Sequence, residues 1–286
     1  MKIAGVWLPI ITPFRNAEVD YESYGRLVDN YLEKGISGII PLGTTGECPT
    51  IEEYEFSRII DFTITKVQNK IPIFVGLGGN NTKKVTKQLE SLSDVNVDGI
   101  LSVCPYYNRP GQEGVFEHFR ALSECTDKKI VIYNIPYRTG MNIENDTLFR
   151  LSELRNITGV KDSCGNYHQT MELILNKPSG FSVLTGEDIL YYPTLMIGGD
   201  GGILASAHLS TEKFVEIYNK VQANDYLSAK MLWKELCTVI PLLFEEPSPG
   251  PIKYILKKKG LISSSELRLP MTRISDKLSR MLDQMI

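Results

Sequence analysis

An eightfold β/α barrel is the fold class this sequence predicts, and three observations lead to it. Short branched-aliphatic runs alternate with amphipathic segments, eight such pairs follow one another, and the runs are apolar throughout rather than alternately polar. Parallel strands covered on both faces read in this way, and crossover helices must join them. The length of 286 residues suits one barrel of about 250 residues with a short addition. An open doubly wound sheet is the competing architecture.

Strands are expected at residues 6–11, 38–42, 71–76, 99–103, 129–134, 157–161, 181–184 and 202–205. Helical patterns between and after them cover 21–33, 51–65, 82–93, 114–125, 145–152, 169–176, 188–197 and 211–221. Beyond residue 222 the strand signals stop, and helical patterns at 226–244, 251–259 and 272–285 take over, with a Pro-rich turn at 246–251. The chain therefore reads as a barrel over residues 1–222 and a C-terminal helical extension over 223–286, too short for a core of its own.

Hydrophobic residues at 42% and charged residues at 23% are those of an ordinary globular chain. A net charge of −3 without a long basic run argues against a nucleic-acid surface, which needs clustered Lys and Arg. The Lys257-Lys258-Lys259 triplet reads as a solvated helix end. No apolar run reaches the ~18 residues of a membrane span, and the first residues run into a strand without a secretion signal. Five scattered cysteines, Cys48, Cys104, Cys125, Cys164 and Cys237, suit reduced thiols, so a cytoplasmic protein is expected.

In such a barrel the reactive groups gather at the carboxyl ends of the strands. There the sequence places Gly43-Thr44-Thr45-Gly46-Glu47, Pro105-Tyr106-Tyr107-Asn108, Tyr133-Asn134-Ile135-Pro136-Tyr137-Arg138-Thr139-Gly140, Lys161-Asp162, Gly186-Glu187-Asp188 and the Gly-rich stretch 198–202. Lys161 ends a strand, where lost hydration lowers an amine's pKa and frees its neutral form for imine formation with a carbonyl. Alternatively it snorkels from the strand end or pairs with Asp162. Tyr133 ends another strand, where a phenol is able to relay protons or to serve structurally with its hydroxyl satisfied. Thr44 and Thr45 offer hydroxyls and backbone N–H groups to a small carboxylate, although a plain strand-to-helix turn looks similar. Arg138 is suited to grip a second carboxylate or to form a surface salt bridge.

Other chemistries find no support. Gly76-Leu77-Gly78-Gly79-Asn80-Asn81 lacks the third glycine of a dinucleotide fingerprint, so no nicotinamide cofactor is expected. His118, His168 and His208 are far apart and no Cys or carboxylate cluster has zinc-ligand spacing, so no metal is expected. Cys48 and Cys164 fall near strand ends, but no histidine accompanies them as a thiolate partner would.

Taken together, Gly43-Thr44-Thr45-Gly46-Glu47, Pro105-Tyr106-Tyr107-Asn108-Arg109-Pro110, Tyr133-Asn134-Ile135-Pro136 through Arg138-Thr139-Gly140, and Gly159-Val160-Lys161 resemble the dihydrodipicolinate synthase family, within the N-acetylneuraminate lyase superfamily. The resemblance covers essentially the whole chain, down to Leu267-Arg268-Leu269-Pro270-Met271. It implies condensation of pyruvate with aspartate 4-semialdehyde to 4-hydroxy-tetrahydrodipicolinate, in diaminopimelate and lysine synthesis. It implies Lys161 as the imine-forming nucleophile and Tyr133, Thr44 and Tyr107 as the proton relay, with Tyr107 contributed across a subunit interface. Thr45 would hold the pyruvate carboxylate, Arg138 the semialdehyde carboxylate, and the backbone at Ile203 would line the site. A homotetramer of tight dimers is implied as well.

Some positions depart from the family pattern. Tyr137 stands where a small residue is usual, Asp162 replaces a common Glu, and Ser248 and Gly250 depart from Asn-Pro-Ile-Pro. The lysine-inhibition positions read Pro49, Glu53, Phe56, Asn80, Lys84 and Tyr106, and Lys84 stands where an acid would meet the ligand's ammonium, so feedback is expected to be weak or absent. Two rival functions are a 2-keto-3-deoxy sugar acid aldolase, disfavoured by Arg138 and by Thr44, where sialate lyases tend to carry Ser, and a non-catalytic ligand-binding barrel, which would need no nucleophile and relay together.

Overall fold

The structure, a computed structural model, describes residues 2–284. Met1, Met285 and Ile286, which belong to the expected ranges 1–222, 223–286 and 272–285, lie outside the described residues. Eight parallel strands carry the fold: β1 Gly5–Leu8, β2 Gly38–Ile39, β3 Phe74–Gly76, β4 Gly99–Val103, β5 Lys129–Asn134, β6 Ile157–Asp162, β7 Ser182–Thr185 and β8 Gly201–Ile203. Their order in the sheet is β2-β1-β8-β7-β6-β5-β4-β3. The Ile39 N–H donates to the Pro72 carbonyl, just ahead of β3, at 3.1 Å. This strand order with its crossover helices is that of the (β/α)8 class expected from the sequence, and the open doubly wound sheet is set aside.

Each strand is almost wholly buried, which is why its residues are apolar on both faces. Strand β1 stops at Leu8, short of the expected residue 11, where Pro9 has no N–H to offer a ladder. Close strand contact excludes a side chain at Gly38, where a Cβ would stand 2.3 Å from the Trp7 ring. Helix starts are marked by side-chain caps: Asp20 accepts from Ser23 N, Asn81 from Lys84 N, Asn166 from Gln169 N and Ser275 from Leu278 N. Such caps satisfy N–H groups that the first turn leaves unpaired.

Among the described residues two compact units can be distinguished, one comprising residues 2–5 with 73–203, the other 6–72 with 204–284. The first holds β3 to β8 and the helices Thr82–Glu90, Gln112–Glu124, Asn145–Ser152, Tyr167–Asn176 and Tyr191–Met196. Its expected helix at 188–197 is divided, with a 3₁₀ turn Asp188–Leu190 ahead of the α-helix. The second holds β2, helices Tyr21–Leu32 and Glu53–Val67, and the C-terminal helices Ala207–Gln222, Tyr226–Leu243, Gly250–Lys258 and Asp276–Asp283. A two-stranded hairpin, Phe14–Arg15 with Glu18–Val19, was not foreshadowed by the sequence. Two left-handed residues, Asn16 and Ala17, turn it. The helix Ala207–Gln222 starts earlier than expected and is kinked at Ser210.

Two buried histidines are held neutral by this packing. The His208 Nε2 accepts from the Ile11 N–H at 3.1 Å while its Nδ1 faces the Ala205 carbonyl at 2.7 Å, a pairing that fixes a tautomer protonated at Nδ1. His118 Nδ1 meets the Thr82 hydroxyl at 2.9 Å. Burial pushes both pKa values down to about 4. An unfolded chain therefore takes up protons that the native one refuses, and stability present above pH ~6.5 is lost as pH falls toward ~4, by at most roughly 3 kcal/mol per histidine. Urea unfolding followed across that range should show the decline, and His208→Gln, which keeps an acceptor and a donor, should flatten it.

Candidate active site

Strands β5 and β6 place Tyr133 opposite Lys161, and β7 places Leu184 on the other side of the lysine. The Lys161 Nζ sits 4.1 Å from the centroid of the Tyr133 ring. Both residues are buried, at 6% and 7% exposure. Desolvation pushes the Lys161 amine down to about 8, Asp188 and Glu187 oppose the fall through their charge, and Arg138 assists it. Relative to an ordinary lysine, that shift raises the neutral fraction at pH 7 about 300-fold. Burial likewise pushes the Tyr133 phenol up, with Tyr137 adding to the rise and Arg138 and the Ser163 hydroxyl opposing it.

The alternatives left open for Lys161 are not what the structure adopts. Asp162, its strand neighbour, points to the opposite face, as alternation requires. There it accepts from Cys164 N at 3.2 Å and from the Thr170 hydroxyl. Among the described residues no carboxylate lies within ion-pair distance of Lys161. A second buried lysine, Lys253, is also lowered to about 8 by desolvation, but its ammonium pairs with Glu47 and donates to the Glu266 carbonyl at 2.9 Å. Ion pairing, not burial, separates the two amines: among the described residues Lys253 has a carboxylate partner and Lys161 has none. Burial raises the Cys164 pKa, keeping it a thiol.

Arg138 rides on a single helical turn, Pro136–Thr139, closed by Gly140 in the left-handed region at φ 78°. Asn134, fully buried, anchors the loop that follows: its amide donates to Asn142 Oδ1 at 2.9 Å and accepts from Ile143 N at 3.1 Å. The Arg138 guanidinium is exposed and lies 5.4 Å from the Tyr137 ring, within cation–π range. No ion pair engages it among the described residues, so the surface salt bridge considered for it is not formed. Ile203 closes β8 with 1% exposure.

Tyr107 is not brought to Lys161 within this chain: it is 90% exposed and held at φ 71°, an uncommon conformation for a bulky residue. Thr44 and Thr45 belong to the other unit. Thr45 is buried, and the turn carrying both is closed by Gly46 N to Gly43 O at 3.0 Å and Glu47 N to Thr44 O at 3.0 Å.

Two residues around the lysine escaped the sequence reading of roles. A Cβ on Gly186 would lie 2.6 Å from Lys161 Cε and 2.3 Å from Ser163 Oγ, so the bare backbone of Gly186 is the wall against which the lysine lies. Ser163 is two residues beyond Lys161 and 1% exposed. The i, i+2 spacing was a signal for Ser163; for Gly186 the sequence carries none beyond its place at a strand end. Among the described residues no group of three or more His, Cys, Asp or Glu is placed to hold a metal ion, and no helix is long and apolar enough to cross a membrane.

The eightfold barrel, with a desolvated amine at a strand's carboxyl end, a phenol ring beneath it and a guanidinium in its field, is of the class of barrels suited to carbonyl chemistry. Within that class the chain belongs to the dihydrodipicolinate synthetase family, which it matches over residues 2–286. It is 57% identical over 286 residues, the full length of both chains, to 4-hydroxy-tetrahydrodipicolinate synthase 2 of Clostridium acetobutylicum. The crystal structure of dihydrodipicolinate synthase from Thermotoga maritima is 36% identical with a TM-score of 0.97, covering 99% of this chain and 97% of that one. The chloride-inhibited synthase of Acinetobacter baumannii complexed with pyruvate is 33% identical with a TM-score of 0.95, at 99% and 97% coverage.

Because the wall at Gly186 leaves no space for a methyl group, Gly186→Ala should displace the Lys161 amine. A misplacement of this kind costs on the order of 100-fold in rate, and borohydride trapping of a keto acid on Lys161, timed in the variant and the parent, measures it.

Proposed function

We propose that this chain condenses pyruvate with L-aspartate 4-semialdehyde to 4-hydroxy-tetrahydrodipicolinate, as a class I lyase of diaminopimelate and lysine synthesis. The observation that carries the reading is the Lys161 amine, buried, unpaired and lowered to about 8 against the Tyr133 ring. Membership of the family and the names of the relatives support it.

The neutral Lys161 amine adds to the pyruvate ketone, and the carbinolamine expels water to leave an imine. Loss of a proton from the methyl carbon gives an enamine, whose carbon attacks the semialdehyde's aldehyde. The semialdehyde's own amine then attacks the imine carbon, closes the ring and returns Lys161 to its free state. Tyr133, Thr44 and Tyr107 move the protons. Thr45 holds the pyruvate carboxylate, Arg138 the carboxylate of the semialdehyde, and the backbone at Ile203 lines the site. An Arg138 guanidinium without an ion pair favours a carboxylate-bearing partner over the hydroxylated aldehyde of a sugar acid aldolase.

The exposure and left-handed backbone of Tyr107 support its use by a neighbouring protomer, and with it a homotetramer built from tight dimers. Location in the cytoplasm accords with the reduced cysteines. The exposed Lys84, at the head of helix Thr82–Glu90, supports weak or absent inhibition by lysine.

Borohydride reduction with pyruvate, followed by peptide mass analysis, should leave a stable adduct on the Lys161 peptide, and Lys161→Ala should abolish both adduct and turnover. An adduct elsewhere, or undiminished turnover in Lys161→Ala, refutes the reading. Since the neutral amine reacts, the pyruvate-dependent rate should climb about tenfold per pH unit on the acid side and level off above about 8. Arg138→Gln should raise KM for the semialdehyde by about 10- to 100-fold, the loss of a charged hydrogen-bond pair, with pyruvate trapping unchanged. Initial rates should be unaffected by sub-millimolar lysine; strong inhibition there would overturn the assignment to Lys84.

A further inference from the structure

The Thr44-Thr45 turn is strained, and what holds it comes from the C-terminal helices. Leu42 and Glu47, neither of them glycine, bracket the turn in the left-handed region at φ 62° and 54°. Such a conformation persists only where its surroundings enforce it. Thr12 Oγ1 donates to the Gly46 carbonyl at 2.7 Å, and a Cβ on Gly46 would press the Ile10 carbonyl and Leu42 N at 3.1 Å.

Beneath the turn the Glu47 carboxylate, 2% exposed, pairs with the wholly buried ammonium of Lys253 from helix Gly250–Lys258 and accepts from Arg268 N at 3.2 Å. The Phe14 ring contacts both cations, its centroid 4.1 Å from Lys253 Nζ and 4.3 Å from Arg268 Cζ. Arg268 is fixed in turn by two 2.6 Å contacts to Glu55 and by donating to the carbonyls of Thr50 and Ala17. The Lys253 ammonium also reaches the Glu266 carbonyl, while the Glu266 carboxylate accepts from Ala17 N at 2.7 Å. Removing a buried ion's partner leaves an uncompensated charge, so no part of this arrangement is neutral filling.

We infer that Lys253 is a positioning residue for the reaction: through its buried pair with Glu47 it holds the strained turn that presents Thr44 and Thr45 to pyruvate. The helices beyond residue 222 thereby belong to the pyruvate-binding apparatus. The inference rests on the functional reading above, which gives the two threonines their substrate.

Full-length Lys253→Met, Glu47→Gln and the combined variant are compared with the parent by thermal unfolding, by half-saturating pyruvate in borohydride trapping of Lys161, and by KM for the semialdehyde. Each single change should raise half-saturating pyruvate about tenfold in protein still folded at the assay temperature, with KM for the semialdehyde moving less than about threefold. The combined variant should lose less than the product of the two single losses, since both remove one interaction. Lys253→Arg, which keeps the charge, should recover part of the pyruvate affinity and serves with Glu47→Gln if Lys253→Met does not fold. A lowered unfolding temperature with unchanged pyruvate saturation, or independent losses in the combined variant, overturns the inference. Failure of pyruvate to be trapped on the parent would instead refute the functional reading.

Discussion

Removal of water from one amine is the constraint on which the site depends. Burial is the main drive of the Lys161 ammonium toward its neutral form; Asp188 and Glu187 pull the amine back toward the charged form, while Arg138 adds to the drive. These opposing fields leave it near 8, where a neutral amine is available and a proton can still be taken up, as the proposed reaction requires. Tyr133 contributes twice, as the aromatic face against which the amine rests and as a phenol kept protonated by the same burial.

A lowered pKa does not by itself make a nucleophile, and the comparison with Lys253 makes that plain. Both amines are buried and shifted alike. One is spent in an ion pair and two cation–backbone or ring contacts, and it stabilises a turn. The other has a ring beneath it and charges only at a distance. What each ammonium touches separates the two, and under the proposed reaction the same desolvated group serves once as mortar and once as reagent.

Much of this was legible in the sequence because it follows from periodicity. Apolar runs without alternation announce buried parallel strands, and the rule that reactive groups collect at strand ends points to Lys161, Tyr133 and Arg138 from the sequence itself. What the sequence withheld is set by approach in space. The hairpin at Phe14–Val19 is too short for a periodic signal, and Ile10 and Ile11 continue the apolar character of β1 past Leu8 although Pro9 ends its ladder. Gly186 could be seen as a turn glycine but not as the surface on which Lys161 lies. Glu47 and Lys253 are distant along the chain, and only the folded backbone reveals that one compensates the other.

The wall at Gly186 has a thermodynamic consequence. A lysine free in solution samples many rotamers, and freezing it is worth up to about 2 kcal/mol of side-chain entropy. With its methylenes laid against bare backbone, Lys161 has already surrendered that freedom when the chain folds. Under the proposed reaction, covalent capture of a keto acid then has little side-chain disorder left to remove.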